Sequence, residues 1–353
     1  MNIKRILSVI LTTYLVSASF LSVFSVSAQT IEVVDNQVAA EQQNNVKTAE
    51  SSTKEFAINN KKDFSRFMTT SEYWESNYKI KLNCDISFIF FKKFNPIEDF
   101  KGDFDGGGHT IKYVMLRYFV KNNHGTISRL NFQKSKLLSS RCGFVENNYG
   151  TISECTSIGK VEAELHGDFN MGGFVLYNRG AIKDSSAKIT VIGAKDGKRG
   201  KTLGVFAACN DGAIINCNAK GNIRAHIIFC SYSFQIYENV GGFVGVNNGK
   251  ITNCIATGNV NCKRFTTNGS SRWVERCAGG FAGRNRGTIS ECTSKVDVKG
   301  EGIEEKLGGF VGNNIDNGII TNCTAMGKID GKKINFDRFA GENKGKIEDC
   351  KIN

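Results

Sequence analysis

The chain has 353 residues, including 38 glycines, one proline and 12 cysteines, and a formal net charge of +12. Its glycine content is above average, but proline is scarce and there is no three-residue period, which excludes collagen and proline-rich linkers. Hydrophobic residues make up 40% of the chain and aromatic residues 10%, enough apolar surface to exclude wholesale disorder. Length alone would suggest two domains, but an internal repeat overrides that expectation.

The N-terminus has the pattern of an exported protein. Lys4 and Arg5 precede an apolar stretch over residues 6–26, which closes on small residues ending at Ala28. We therefore predict a signal peptide over residues 1–28 and a secreted, extracellular protein; retention of the stretch as an anchor is the alternative. Loss of the two basic residues would leave a net charge of +10. This charge favours anionic partners, while export argues against nucleic acid.

The segment that follows the signal peptide is expected to contain a spacer and then a cap. Residues 29–55 are polar and charge-mixed, which is typical of a flexible spacer. Residues 56–116 are expected to form a capping helix and the first coil of the next region. Phe64, Phe67 and Met68 share one face of that helix, and an asparagine precedes them where a helix cap belongs. Such a helix would cover the open end of a stack of strands.

One short pattern recurs eight times over residues 117–353. Its clearest copies are GGFVGVNNGKITNC at 241–254 and GGFAGRNRGTISEC at 279–292. Each copy has a phenylalanine followed four residues later by an asparagine. The phenylalanines are Phe119, Phe144, Phe174, Phe206, Phe243, Phe281, Phe310 and Phe339. The asparagines are Asn123, Asn148, Asn178, Asn210, Asn247, Asn285, Asn314 and Asn343.

The rest of the repeat indicates strands that stack. In most copies glycine follows the phenylalanine by six residues and isoleucine follows that glycine by two; in six copies a cysteine follows the glycine by five. Apolar and polar residues alternate between short turns, and the copies recur about every 31 residues, a period typical of solenoids. One unit cannot bury its own apolar face, so the units must stack about 4.8 Å apart. The pattern predicts an all-β parallel β-solenoid of about eight coils with a short N-terminal capping helix.

The repeated polar positions have a structural interpretation in such a stack. The asparagine side chains are expected to hydrogen-bond each other from coil to coil. The glycine two residues later is expected to supply the positive φ of a turn. Both residue types are therefore interpreted as parts of the framework and not as ligands.

The consensus G-G-F-V-G-x-N-N-G-x-I-x-N-C resembles the GLUG motif repeats of bacterial secreted and surface proteins. Phenylalanine stands here at the usual leucine, and several copies, among them the first, fourth and eighth, lack the leading glycine pair. The segments YKIKLNCDI at 78–86 and FKGDFDGGGHTI at 100–111 are similar to the coil that precedes such repeats. The resemblance implies a parallel β-helix over residues 56–353. It is compatible with an adhesion or surface-interaction role and implies no particular activity.

The cysteines fall into two groups. Six occupy the repeated position, where neighbouring side chains would be parallel and slightly too far apart for disulfides, so we interpret them as small buried residues. The other six lie elsewhere in an exported chain, where disulfides are favoured. Among these, Cys262 and Cys277 flank one loop and are the predicted bridge.

Catalytic motifs are sparse, and we predict no catalytic residue, cofactor or metal. The most acidic cluster contains Asp103, Asp105 and His109. A β-helix polysaccharide lyase or hydrolase would need such carboxylates for acid and base chemistry. The preferred interpretation is that Asp105 and the following glycines form a tight turn.

The two longest connections between repeats are the predicted binding site. They run 26 and 27 residues from the repeated cysteine to the next phenylalanine, and insertions in solenoids often form the binding side. The candidate residues are Tyr232, Phe234 and Tyr237 in the first connection and Arg264, Phe265, Arg272, Trp273 and Arg276 in the second. Aromatic rings stack on sugars, and arginines pair with acidic groups. The alternative is that the aromatic residues pack a hairpin against the solenoid.

These features favour a non-catalytic adhesion module that binds an acidic glycan, a cell-wall polymer or a host surface protein. The runner-up is a carbohydrate-active β-helix enzyme. No helix is predicted after the last repeat, so the last coil is expected to expose strand edges that favour self-association.

Overall fold

The computed structural model describes residues 52–115, 117–133, 143–162, 170–193, 202–228, 236–265, 274–300, 305–331 and 339–353. Residues Thr53–Asn353 form one compact unit. The unit is built almost wholly from short strands, numbered here in chain order, that pair in parallel with the equivalent strands of neighbouring coils. The predicted parallel β-solenoid is confirmed.

A short helix covers the first coil, as the sequence predicts. Helix α1 (Lys61–Thr69) follows strand β1 (Lys54–Ile58), and a 3-10 turn over Ser71–Trp74 leads to β2 (Tyr78–Leu82). The Asn60 side chain accepts hydrogen bonds from two backbone N–H groups of the first helical turn, at 2.8 and 3.0 Å. The predicted apolar face of α1 is buried. Strand β1 was not predicted. It pairs in register with β2, so the solenoid includes two residues of the predicted spacer.

The strands form four parallel sheets, and the five repeats that are followed by a described sheet 4 strand meet the sheets in the order 1, 2, 3, 4. Sheet 1 consists of β4 (Ile97–Phe100), β7 (Val120–Asn123), β10 (Val145–Asn148), β14 (Val175–Asn178), β18 (Ala207–Asn210), β22 (Val244–Asn247), β26 (Ala282–Asn285), β30 (Val311–Asn314) and β34 (Ala340–Asn343). Sheet 2 consists of β1, β2, β5 (Asp103–Asp105), β8 (Thr126–Ser128), β11 (Thr151–Ser153), β15 (Ala181–Lys183), β19 (Ala213–Ile215), β23 (Lys250–Thr252), β27 (Thr288–Ser290), β31 (Ile319–Thr321) and β35 (Lys346–Glu348).

Sheets 3 and 4 complete the coil. Sheet 3 consists of β3 (Ile86–Lys93), β6 (Thr110–Met115), β9 (Asn131–Gln133), β12 (Thr156–Glu162), β16 (Ser186–Ile192), β20 (Asn218–Ile228), β24 (Ile255–Phe265), β28 (Thr293–Gly300), β32 (Thr324–Ala325) and β36 (Lys351–Ile352), with β33 (Ile329–Gly331) also pairing with β28. Sheet 4 consists of β13 (Met171–Gly172), β17 (Thr202–Gly204), β21 (Ile236–Gly241), β25 (Val274–Gly279) and β29 (Glu305–Gly308).

Sheet 2 has three strands before the first of the eight repeats. In these strands Phe56, Ile80 and Phe104 pair in register and continue the column of repeat isoleucines. They lack the phenylalanine, asparagine and glycine signature that marks the repeats. The stack is therefore longer than the eight coils that the repeat count indicates.

The repeated phenylalanines form the central column of the core. From Phe174 to Phe339 the neighbouring rings are stacked with centroids 4.8–4.9 Å apart. All eight phenylalanines are buried. The ring spacing matches the distance between parallel strands, so each added coil extends the core by one ring.

The repeated asparagines form a continuous chain of amides at the ends of the sheet 1 strands, and all of them except Asn343 are buried. Each Nδ2 donates to the Oδ1 of the asparagine in the next coil at 2.8–2.9 Å. The same Nδ2 also contacts a glycine carbonyl within its own coil at 3.1–3.3 Å. Within the chain the buried amides therefore satisfy one another where no water reaches them, whereas at its first member the Asn123 oxygen has no partner among the described residues.

The glycine after the asparagine has a different role from the predicted one. It does not adopt a positive φ; that conformation falls on a polar residue four positions after the turn glycine in all eight copies, such as Glu154 and Asn253, at 53° and 52°. The glycine is required by close packing between coils. A Cβ on Gly150 would lie 2.1 Å from the Gly125 carbonyl oxygen, and most other copies have the same contact with the preceding coil.

Candidate binding side of the solenoid

The longest strands of sheets 3 and 4 lie next to each other in the middle of the stack. Strands β20 and β24 pair over eleven residues, up to Ile228 beside Phe265. Strands β21 and β25, to which the chain returns, pair over six residues. Both long connections therefore leave from paired strands and return to paired strands, which places their two ends side by side.

The structure describes the backbone of half of the predicted binding residues. Arg264 and Phe265 are the last residues of β24, Tyr237 lies in β21 and Arg276 lies in β25. The register places Tyr237 beside Glu275 and Arg276 beside Glu238. The other four predicted residues lie outside the described residues: Tyr232, Phe234, Arg272 and Trp273.

A shallow groove of about 450 Å³ lies on sheet 3 beside these strand ends. Its floor is formed at Ile223, Val260 and Val298, whose side chains are buried in the core. Two polar rows border the floor, each formed by one residue from each of four neighbouring coils. The first row is Asn222, Asn259, Asp297 and Lys328, and the second is Arg224, Asn261, Lys299 and Asp330.

Sequence reasoning missed this groove, although the repeat contained a signal for it. The residues of the first row stand five positions after the repeated cysteine, and those of the second row stand seven positions after it. Because strand side chains alternate between faces, these positions share the outer face of sheet 3. Alignment of the repeats on the cysteine places the residues of each row at the same position.

The GLUG motif matches residues 236–261 and 305–330. Each match covers one coil, from a sheet 4 strand through the phenylalanine, asparagine, isoleucine and cysteine positions into sheet 3. The chain contains GLUG motif repeats. No curated protein and no solved structure matched the chain.

The glycines of the GLUG motif allow sheet 4 to fold back against sheet 1. A Cβ on the leading Gly241 would lie 1.9 Å from the carbonyl oxygen of Val244, three residues later. A Cβ on Gly283, two residues after the motif phenylalanine, would lie 2.5 Å from the backbone nitrogen of Val240 in sheet 4. The motif therefore requires glycine at these positions, because the backbones of sheets 4 and 1 are in direct contact there.

The acidic cluster before the GLUG repeats forms a turn. The Asp105 carboxylate accepts a hydrogen bond from the Gly107 N–H at 2.9 Å and from Arg129 Nε at 2.9 Å, and Gly107 and Gly108 have positive φ. Partial burial opposes ionisation of Asp105, but these hydrogen bonds and the Arg129 charge outweigh it and lower the carboxyl pKa. His109 lies 3.4 Å from Asp85.

Other observations bear on catalysis and on the membrane. In the described ranges no three His, Cys, Asp or Glu side chains converge on a possible metal position. Nor do these ranges contain a helix that is long and apolar enough to cross a membrane.

The predicted bridge between Cys262 and Cys277 is not formed in the structure: both residues are buried thiols. Cys262 belongs to the main core, whereas Cys277 precedes Ala278, whose side chain faces that core. Because strand side chains alternate, Cys277 faces away from the core, so sheet 4 separates the two sulfur atoms. The repeated cysteines are also thiols, each donating to the carbonyl two residues earlier at 3.1–3.2 Å.

Thiol titration is expected to find at least ten thiols per denatured chain, one for each described cysteine. In the native protein the reaction should be much slower, because burial raises the pKa of Cys155 and of Cys209 to about 12 and the thiolate is the reactive form. Reaction with Ellman's reagent at pH 8 measures the number of thiols in the denatured protein when urea is present and the rate of their reaction in the native protein when it is not. Fewer than ten thiols after denaturation, or full reaction before it, would contradict this arrangement.

Proposed function

We propose that the chain is an exported, non-catalytic binding module that recognises acidic glycans at or near a cell surface. The observation that carries the proposal is the pairing of β20 with β24 and of β21 with β25, because it brings the ends of both long connections together. These connections contain aromatic residues and arginines, the side chains that contact sugar rings and acidic groups. The positive net charge and the signal-peptide pattern support an anionic partner outside the cell.

The proposal is tested with a triple alanine variant at Arg272, Trp273 and Arg276. Protein purified from the medium of producing cells is expected to begin at Gln29, and its binding to polygalacturonate and heparin is measured by calorimetry. Tryptophan and arginine often contribute most of the binding free energy of an interface, so the variant should bind about a hundredfold more weakly.

A matched control replaces one aromatic residue and two arginines elsewhere on the solenoid. Tyr149 stacks with His124 at a centroid distance of 4.8 Å and lies 5.5 Å from the Arg179 guanidinium, while Arg286 is exposed on a turn. The variant with alanine at Tyr149, Arg179 and Arg286 should bind as the wild type does. Unchanged binding by the Arg272, Trp273 and Arg276 variant would refute the assignment of the site to the connections.

A further inference from the structure

The outer face of sheet 3 carries a row of cations in addition to the two polar rows of the groove. Lys188 pairs in register with Lys220, which is followed across the sheet by Thr257 and Lys295. These three lysines are exposed; Lys220 and Lys295 stand on strands that also form the groove, and Lys188 stands on the neighbouring strand β16. Four residues after Lys220 along β20, Arg224 belongs to the second groove row.

Several of these cations have no ionic partner within the described part of the chain: Lys188, Lys220, Arg224, Lys295 and Lys328. The two carboxylates of the groove already have an ion pair or a hydrogen bond within the protein. Asp330 lies 3.3 Å from Lys299, and Asp297 accepts a hydrogen bond from the Lys328 N–H at 2.8 Å. Lys188 and Lys220 also stand directly beside each other, and neighbouring like charges repel. An anionic ligand would relieve this repulsion.

The groove also offers amides for hydroxyl groups. Asn259 donates to the Asn222 side chain at 2.9 Å, and both residues are exposed. In Asn261 the side-chain oxygen is buried and has no hydrogen-bond partner among the described residues, so it is not offered to a ligand. The exposed amides of Asn222 and Asn259 are the groups that can donate to and accept from ligand hydroxyls.

We propose that the outer face of sheet 3 binds a linear anionic polysaccharide lying along the solenoid axis. Its acidic groups pair with Lys220, Arg224 and Lys295, and its hydroxyl groups hydrogen-bond to Asn222 and Asn259. Successive coils present these side chains at intervals of about 4.8 Å, which suits a polymer with a regular repeat. The inference rests on the proposed function and extends the site from the connections onto the sheet.

The side chains around the groove favour a polysaccharide over a nucleic acid. Among the described residues, the groove lining is aliphatic, amide and charged, without an aromatic ring. Proteins that bind single strands usually stack bases on aromatic rings, whereas binding to duplex DNA is dominated by contacts between cations and phosphates. Amides beside cations suit a ligand that carries both hydroxyl and acidic groups.

The test is a variant of the full chain with Lys220→Gln, Arg224→Gln and Lys295→Gln. A control with Lys79→Gln, Lys183→Gln and Lys250→Gln removes the same charge from the outer face of sheet 2, where these lysines also lack ion pairs with described residues. Binding of fluorescent polygalacturonate is measured at about 0.1 M salt, where only nearby charges interact strongly. The sheet 3 variant should bind about tenfold more weakly, and the control within about twofold of wild type.

Three outcomes would overturn the inference. Equal weakening of polygalacturonate binding in the sheet 3 variant and in the sheet 2 control would mean that binding depends only on the net charge of the protein. Duplex DNA bound as tightly as polygalacturonate, and lost in the same variant, would indicate a general polyanion surface. Retained binding in the sheet 3 variant, with binding lost in the Arg272, Trp273 and Arg276 variant, would confine the site to the connections and leave the proposed function standing.

Discussion

Replacement of Asn247 by alanine is expected to lower the free energy of unfolding by about 4 kcal/mol, because it leaves several buried polar groups without partners. Asn210 loses the acceptor for its Nδ2, and Asn285 loses the donor to its Oδ1. The carbonyl oxygen of Gly249 loses its contact with the same amide. The site is fully buried, so water cannot replace these bonds without opening the stack.

The measurement is urea denaturation followed by circular dichroism, with Asn343→Ala as the matched control. Asn343 ends the described amide chain, is exposed and accepts one hydrogen bond, from Asn314. Its replacement should cost about 1 kcal/mol, the usual value of one hydrogen bond. Equal losses for the two variants would mean that the amide chain does not stabilise the interior of the solenoid.

Replacement of Gly249 by alanine is expected to destabilise the protein by more than about 3 kcal/mol, the upper range for overpacking a core. The new Cβ would lie 2.1 Å from the Gly212 carbonyl oxygen in the preceding coil. That oxygen accepts a hydrogen bond from the Lys250 N–H at 2.9 Å, so neither backbone can move away without breaking the bond. The clash is therefore with the framework and not with a flexible side chain.

Gly108→Ala is the control for this prediction. Gly108 has a φ of +79°, but a Cβ there would meet no atom within 4 Å. Its replacement carries only the cost of an unfavourable backbone conformation, about 1 kcal/mol. Thermal unfolding of both variants distinguishes the two effects. A larger loss for Gly108→Ala than for Gly249→Ala would show that positive φ, and not the contact between coils, makes glycine necessary in this chain.

The sequence was sufficient to predict the architecture because the repeat carries both periodicity and chemistry. Phe243 and Asn247, at fixed spacing, identify one core position and one amide position in every coil. Helix α1 was also predictable, since Phe64 and Phe67 share one face beneath an asparagine cap. These signals are local in the chain or repeat at a fixed interval.

The role of the repeated glycines was not predictable from a single coil. Gly249 resembles an ordinary turn residue in sequence, yet its constraint comes from the Gly212 carbonyl in the preceding coil. The positive φ falls instead on the residue before the cysteine, where Asn216, Asn253 and Asn322 are suitable residue types. The predicted bridge between Cys262 and Cys277 was wrong for a related reason, since closeness in the chain does not reveal which face of a strand a side chain occupies.

The candidate site was predicted only in part. The adjacency of the two connections follows from stacking, and the strands at their ends have that arrangement. The groove involves residues separated by a full coil, such as Asn222 and Asn259, so it becomes apparent only when the sheet 3 register is fixed.

Binding of the purified chain to an array of acidic and neutral glycans is the decisive measurement of ligand class. We expect retention of uronic acid and sulfated polymers, weaker binding at higher salt and no shortening of the bound polymer. Retention of neutral glycans alone, or release of shortened products from an acidic polymer, would contradict a non-catalytic module for acidic glycans.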